Sequence, residues 1–263
     1  MHISLIIGFY KQLNNLSILI ESLKNQSYTT FEVIIAEDDD SVETINYLNN
    51  VKKEIAFTIK HVSQPNLGFR KNKILNDAIK ISSGEFIVFI DGDCVPHKHF
   101  LKQYARIFKP FTILYGRRVM LSEKHTKDLY NTKDLTRLNL FRLLLNRCEL
   151  IESGLYWPFY SIRRNKLKRI IVGSNWGIDR NSLLNVNGFD EDYVRAGVGE
   201  DVDIEWRLLK LGTKSKCVKF KCIQYHLYHK PNYSPEDTYY NYSLLEDKKK
   251  SGWIKCKNGI VKL

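Results

Sequence analysis

The feature that most constrains this chain is Phe86-Ile87-Val88-Phe89-Ile90-Asp91-Gly92-Asp93, an apolar run that stops on two carboxylates one residue apart. Five consecutive β-prone residues fit an interior strand covered on both faces, as parallel strands are. Gly92 lets the backbone bend close to a ligand, and alternate side chains of an extended segment can converge on one divalent ion. An isolated Asp-x-Asp is as readily a plain acidic turn, so its neighbours decide.

Three further segments follow the same logic. His2 to Tyr10 is a strand ending in Gly8-Phe9-Tyr10, followed by a periodic helix from about Leu16 to Gln26. Phe31 to Asp40 is a second apolar run ending in acid, with a helix predicted from Thr44 to Val51. Gly199-Glu200-Asp201-Val202-Asp203 leads acids into an amphipathic helix. Strands alternating with helices, with polar groups gathered at strand ends, predict an α/β fold whose ligands lie beyond the carboxyl edge of an open, mostly parallel sheet.

Four motifs then stand in order: Gly68-Phe69-Arg70-Lys71-Asn72-Lys73-Ile74-Leu75-Asn76, Asp91-Gly92-Asp93-Cys94-Val95-Pro96, Gly173-Ser174-Asn175-Trp176, and Asn187-Gly188-Phe189-Asp190-Glu191 running on to Gly199-Glu200-Asp201. With these the chain resembles the family 2 glycosyltransferases of the nucleotide-sugar-binding type A fold, over most of residues 1 to 230. The branch is similar to the one whose C-terminal half resembles β-1,4-galactosyltransferase and chondroitin polymerase modules. The resemblance implies a Rossmann-like sheet flanked by helices, a helical insertion and a C-terminal helical tail.

With 263 residues the chain can bury a full core. The expected organisation is a catalytic domain over residues 1–230, with a nucleotide-binding half at 1–95, an acceptor half at 96–230 and an insertion near 121–170, then a basic tail at 231–263. Within the second half the pattern predicts a helix from His97 to Phe108 and one continuous strand from Thr112 to Val119. Leucines at helical spacing fill Leu135 to Ile151, and a last strand is expected from Val218 to Tyr225. Gly212 should close the helix Asp201 to Leu211 as a left-handed cap, and Ser234-Pro235-Glu236-Asp237 should start a loosely packed terminal helix.

Apolar runs of about five residues fall far short of the roughly 18 needed to span a bilayer, and the start of the chain shows no charged-then-apolar leader, so a cytosolic location is expected. The five cysteines lack Cys-x-x-Cys spacing and read as reduced thiols. A formal charge of +12 attracts anions, whether nucleotides, nucleic acids or acidic membrane surfaces. No nucleic-acid-binding signature accompanies it, which leaves peripheral association with an anionic membrane as the better expectation.

For the site, the resemblance implies a donor nucleotide, UDP-linked in the first instance, and Mn2+ or Mg2+ bridging its diphosphate. Asp93 would be the principal metal ligand, and Asp91 would contact the ribose or reach the metal through water. His226, with His229 as the next choice, would complete the metal shell. Asp38 would hydrogen-bond the base, and Gly8, Phe9 and Tyr10 would wrap it. Arg70 and Lys71, cations at a helix start, can face the diphosphate. Asp201 would be the base that deprotonates the acceptor hydroxyl in an inverting transfer, with Glu200 binding acceptor or donor sugar.

Two departures from the family pattern matter. Gly8-Phe9-Tyr10 stands where many relatives have Pro-Thr-Tyr, and Arg195-Ala196-Gly197-Val198-Gly199 lacks the Trp that relatives often place there. Trp176, next to Asn175, is the expected substitute for contacting the acceptor, a glycan or lipid-linked glycan. Leu155-Tyr156-Trp157-Pro158-Phe159-Tyr160, followed by five cations within Arg163 to Arg169, reads as a lid, a membrane contact or a packed helix with a basic face. A different donor nucleotide and a sugar-nucleotide-binding protein without turnover are the alternative readings.

Overall fold

The computed structural model describes residues 1–160, 171–230 and 232–263. Strands and helices alternate as β1 (Ile3–Phe9), α1 (Leu13–Lys24), β2 (Phe31–Glu37), α2 (Val42–Val51), β3 (Thr58–Ser63), α3 (Lys71–Ile81) and β4 (Phe86–Asp91). The chain continues through β5 (Cys94–Pro96), α4 (Phe100–Ile107), β6 (Thr112–Tyr115), β7 (Arg118–Met120), α5 (Glu123–Thr132) and α6 (Leu140–Leu145). It ends with β8 (Trp176–Asp179), α7 (Arg180–Asn185), α8 (Glu200–Lys210), β9 (Lys214–Cys217), β10 (Gln224–His226) and α9 (Pro235–Ser251).

The large sheet has the order β3-β2-β1-β4-β8-β6-β9 and is parallel except for β8, which runs antiparallel to both β4 and β6. β1, β2 and β4 are almost wholly buried because helices cover both faces, which is why their sequences are continuous apolar runs. Ile3, Leu5, Ile7, Val88 and Ile90 point to one face with Leu16, Leu19 and Tyr104. Ile6, Ile34, Ile87 and Phe89 point to the other with Ile74, Leu183 and Ile204. The register sets Gly8 beside Asp91 and Phe9 beside Glu37, so the strands end level at one edge.

A second sheet, ordered β5-β10-β7, sits beyond that edge. Its core of Val95, Val119, Tyr225 and Leu129 is separate from the other two. The expected strand from Thr112 to Val119 is therefore two strands in two sheets: Gly116 donates to Asn175 O at 2.8 Å and turns the chain between them. The expected last strand from Val218 to Tyr225 is likewise a turn followed by the short β10, after β9 has already closed the large sheet. Leu135 to Ile151 is not one helix, because Arg147 and Leu150 adopt left-handed backbone angles, with φ of 53° and 52°, after α6.

Two of the sequence motifs are bound to each other. From α3, Asn72 donates to Asp190 O at 2.7 Å, and Asn76 both donates to Phe189 O at 2.9 Å and accepts from Phe189 N at 2.8 Å. Gly188 is held at φ 70°, where a Cβ would lie 2.4 Å from Asn76 Oδ1, so only glycine fits. From α8, the buried Arg207 donates to Val186 O and Gly188 O, both at 2.8 Å, while Asp203 one turn back balances its charge at 2.6 Å.

The terminal helix is more firmly docked than its composition predicts. Ser234 and Asp237 form a reciprocal capping box. Lys248 pairs with the buried Asp190 at 2.9 Å, Asn241 and Leu245 are buried, and Gly199 lies so close that a Cβ would be 2.7 Å from Asn241 Cβ. Gly212 has φ 95°, the left-handed position expected after α8.

Candidate active site

Acids and cations from four elements meet at the carboxyl edge of the large sheet. β4 delivers Asp91 at its last position, and the turn at Gly92 carries the chain to Asp93. Gly92 N donates to Gly8 O at 2.8 Å, and a Cβ there would stand 2.9 Å from Phe9 Cδ2, so the turn needs glycine. Leu227 N donates to Asp93 O at 2.8 Å, which fixes the end of β10 beside the acid.

That docking aims two imidazoles at one carboxylate oxygen. His226 Nε2 lies 3.4 Å and His229 Nε2 3.0 Å from Asp93 Oδ2. Burial alone would raise the Asp93 pKa, but hydrogen bonds from His226 and His229 hold it well below the usual carboxylate range. The bond to Asp93 lifts His229 to about 9, against the opposing effect of burial. One ligand atom from each of the three residues lies within 4.8 Å of the others, and a carboxylate with two imidazoles is a donor set suited to Mn2+ and related divalent ions. Asp91, Asp93 and Cys94 form an overlapping group, but burial, then the charge of Asp93, pushes the Cys94 thiol well up, which disfavours the thiolate that a metal needs.

Beside this cluster, Lys71 at the start of α3 donates to Asp91 Oδ1 at 2.7 Å. Burial opposes its charge, yet Asp91, Glu200 and Asp201 outweigh burial and hold its pKa above that of an ordinary lysine. The first turn of α8 presents Glu200 and Asp201 across a small cavity lined by Lys71, Asp91, Gly173 and Trp176. Gly173 N donates to Asp201 Oδ2 at 3.2 Å. Burial and then the neighbouring Asp201 charge push Glu200 up to about 8, and its Oε2 is buried with no hydrogen-bond partner among the described residues.

The structure brings Asp91, Asp93, Lys71, Glu200, Asp201, His226 and His229 together. Several other expected residues serve the scaffold instead. Trp176 is buried and stacked on Phe89 with ring centroids 4.6 Å apart, so it forms the cavity floor and offers no open face for sugar stacking. Asn175 donates to Arg117 O and Cys222 O and accepts from the Tyr104 hydroxyl at 2.7 Å, which makes it a buried staple between sheets rather than an acceptor contact. Phe9 packs in the core, whereas Tyr10 stays exposed and accepts from Asn66 Nδ2 at 3.1 Å. Asp38 is buried and uses one oxygen for Gln64 Nε2 at 2.6 Å and the other for Arg70 N at 2.8 Å, so it holds the loop before α3. The Arg70 guanidinium turns back to Pro65 O, leaving Lys71 as the cation of the pair that reaches the acids.

Sequence reasoning missed Arg118. At the start of β7 it donates to Ser174 Oγ at 3.0 Å, and against burial the groups Cys94, Asp91 and Asp93 hold its guanidinium pKa above the ordinary value. One arginine among 41 Lys and Arg residues carries no signal of its own, and only the break of the strand at Gly116 marks the place.

The sheet order, with acids gathered where β1, β2 and β4 end, defines a type A glycosyltransferase fold. The chain belongs to glycosyl transferase family 2, whose sequence model matches residues 4–182. Over 232 residues it is 22% identical to hyaluronan synthase of Pasteurella multocida, covering 82% of this chain and 24% of that protein. It is 33% identical over 95 residues to a poly(ribitol-phosphate) β-glucosyltransferase of Bacillus spizizenii, covering 35% of this chain and 15% of the relative. The chain thus spans well under half the length of these relatives. Among solved structures, residues 1–349 of Staphylococcus aureus TarS in complex with UDP superpose with a TM-score of 0.63 at 19% identity, covering 94% of this chain and 65% of that one. GalNAc-T7 with UDP, GalNAc and Mn2+ superposes with a TM-score of 0.67 at 14% identity, covering 94% of this chain and 48% of that one.

Proposed function

We propose that this chain transfers a sugar from a UDP-linked donor to a hydroxyl of a glycan or lipid-linked glycan, with inversion at the anomeric carbon. The observation that carries the reading is the placement of the Asp93–His226–His229 group beside Lys71–Asp91, facing Glu200 and Asp201 at one sheet edge. UDP or UDP-GlcNAc in the TarS complexes and undecaprenol-linked acceptors in the name of an Escherichia coli glucosyltransferase relative support the substrate class.

In this reading Lys71 and Arg118 bind and orient the diphosphate, and Tyr10 offers its ring to the base. Asp93, His226 and His229 would hold Mn2+ or Mg2+, which when bound offsets the charge that develops on the departing diphosphate. Asp201 accepts the proton of the attacking acceptor hydroxyl. Its carboxylate is positioned by Gly173 N, which donates to Asp201 Oδ2 at 3.2 Å. Glu200, whose Oε2 is buried without a hydrogen-bond partner among the described residues, is the group to hydrogen-bond a sugar hydroxyl. The buried side chains of Trp176 and Phe189 give the cavity an apolar floor.

The test is nucleotide release from UDP-, GDP-, CDP- and dTDP-sugars with and without Mn2+, followed by the Asp201→Asn variant. A UDP-sugar should turn over, and Asp201→Asn should lose about 10²–10⁴-fold in rate with donor affinity unchanged. Failure of every donor to turn over, or near-normal turnover by Asp201→Asn, would overturn this reading.

A further inference from the structure

The region around α6 exposes apolar side chains in a way that packing among the described residues does not explain. Of its six residues, Leu-Phe-Arg-Leu-Leu-Leu, only Leu143 enters the core beneath the small sheet. Phe141, Leu144 and Leu145 are 71%, 63% and 64% exposed, and Leu140 is exposed beside them. The turn that follows holds the exposed Leu150 in a left-handed conformation with φ 52°, uncommon for a bulky side chain. The chain then passes through 151–154 to Trp157 and Phe159, the latter 81% exposed. Isolated exposed leucines are ordinary, but this density within twenty residues is not.

The charge around this segment indicates what covers it. Lys133, Arg142 and Arg147 are exposed on or beside α6 and Lys124 is exposed on the preceding α5, against one exposed acid within residues 140–150, Glu149, and the chain as a whole carries +12. Large apolar side chains with flanking cations, and Trp and Phe close by in the chain, are the composition that seats at the headgroup boundary of an anionic bilayer: the apolar groups enter the acyl boundary while Lys and Arg meet acidic headgroups. Among the described residues no helix is long and apolar enough to cross a membrane. We infer that the α6 face, residues 140–150, is a docking surface for anionic lipid bilayers. The surface is independent of the sugar-transfer reading, because lipid binding requires none of the residues at the carboxyl edge.

The experiment is co-sedimentation of the whole chain with phosphatidylcholine vesicles, with and without phosphatidylglycerol, at about 0.1 M and 1 M salt, where the screening length falls from about 10 Å to 3 Å. The unaltered chain should bind the phosphatidylglycerol vesicles and lose much of that binding at high salt. Phe141→Ser combined with Leu145→Ser should lower partitioning at least ten-fold while leaving the melting temperature and nucleotide release in solution unchanged, since both side chains already face solvent. Arg142→Gln with Arg147→Gln should remove the preference for phosphatidylglycerol. Absence of binding, or full binding by the Phe141→Ser/Leu145→Ser variant, would overturn the inference. So would a dimer in sedimentation velocity that this variant dissolves, since a second copy would then be what covers the face.

Discussion

Asn76 and Phe189, 113 residues apart in the chain, exchange two hydrogen bonds: the Asn76 amide donates to Phe189 O at 2.9 Å and its oxygen accepts from Phe189 N at 2.8 Å. The side chain copies a backbone ladder and fastens α3, which carries Lys71, to the segment that leads into Glu200 and Asp201. Asn76→Leu leaves a buried N–H and C=O without partners, and each such group costs about 1–3 kcal/mol. A loss of roughly 2–6 kcal/mol is expected in urea unfolding; stability within the error of the unaltered chain would mean that the loop stands without the clamp.

The group Asp93, His226 and His229 predicts an order of effects on metal-dependent UDP binding, measured by titration calorimetry at several Mn2+ concentrations. Asp93→Ala should abolish the Mn2+-dependent part, because the shared carboxylate is lost. His226→Ala should weaken it more than His229→Ala, since His226 is held in β10 and buried whereas His229 is half exposed. Chelation by EDTA should reduce the unaltered chain to the level of Asp93→Ala. The opposite order for the two histidines would move the principal imidazole to His229.

Glu200 makes the fold less stable toward alkaline pH. Burial and the Asp201 charge raise it from the model-compound value of 4.5 to about 8 in the folded chain, so the folded state binds more protons than the unfolded one between those values and stability falls as pH rises across that window. Glu200→Gln removes this slope, and its melting temperature should exceed that of the unaltered chain at pH 8.5 by more than at pH 5. Parallel curves for the two proteins from pH 5 to 9 would contradict the assignment.

Glu32 acts in the opposite sense. Burial opposes its charge, but Lys60, Ser4 and Ser83 donate to the carboxylate and lower its pKa from 4.5 to about 2. Its contribution is complete above pH 4.5 and is lost as pH falls toward 2, in all about 3 kcal/mol at 1.36 kcal/mol per unit. Glu32→Gln should be less stable than the unaltered chain at pH 7, with the gap closing by pH 2.5 in denaturant melts. A gap independent of pH would show that the carboxylate charge is not what matters.

How much of this was legible in the sequence depended on what each residue answers to. β1, β2 and β4 were legible because a strand covered on both faces must be apolar throughout, and Asp91 and Asp93 were legible because they interrupt that rule at its edge. Helix α8 announced itself through its acidic first turn and Gly212. The pair of short strands around Gly116 was not legible, since the turn is imposed by Asn175, just before β8 and 59 positions later. Nor was the burial of Trp176: an aromatic after a strand-entry motif can face ligand or core, and Phe89 and Phe189 decide it only once the sheet exists. The leucines of 135–151 have helical spacing, but most of them face outward, so their period does not report a core-facing stripe.

The tail described above also fixes an order of events during synthesis. Asn187, at a left-handed φ of 64°, donates to Cys256 O at 2.8 Å and Val261 O at 2.7 Å and accepts from Val261 N at 2.9 Å. Residues 187–190 therefore lack part of their hydrogen-bonding shell until residues 256–261 have left the ribosome. The segment that leads from α3 toward Glu200 and Asp201 is complete only once a contact made 69 positions further along the chain has formed.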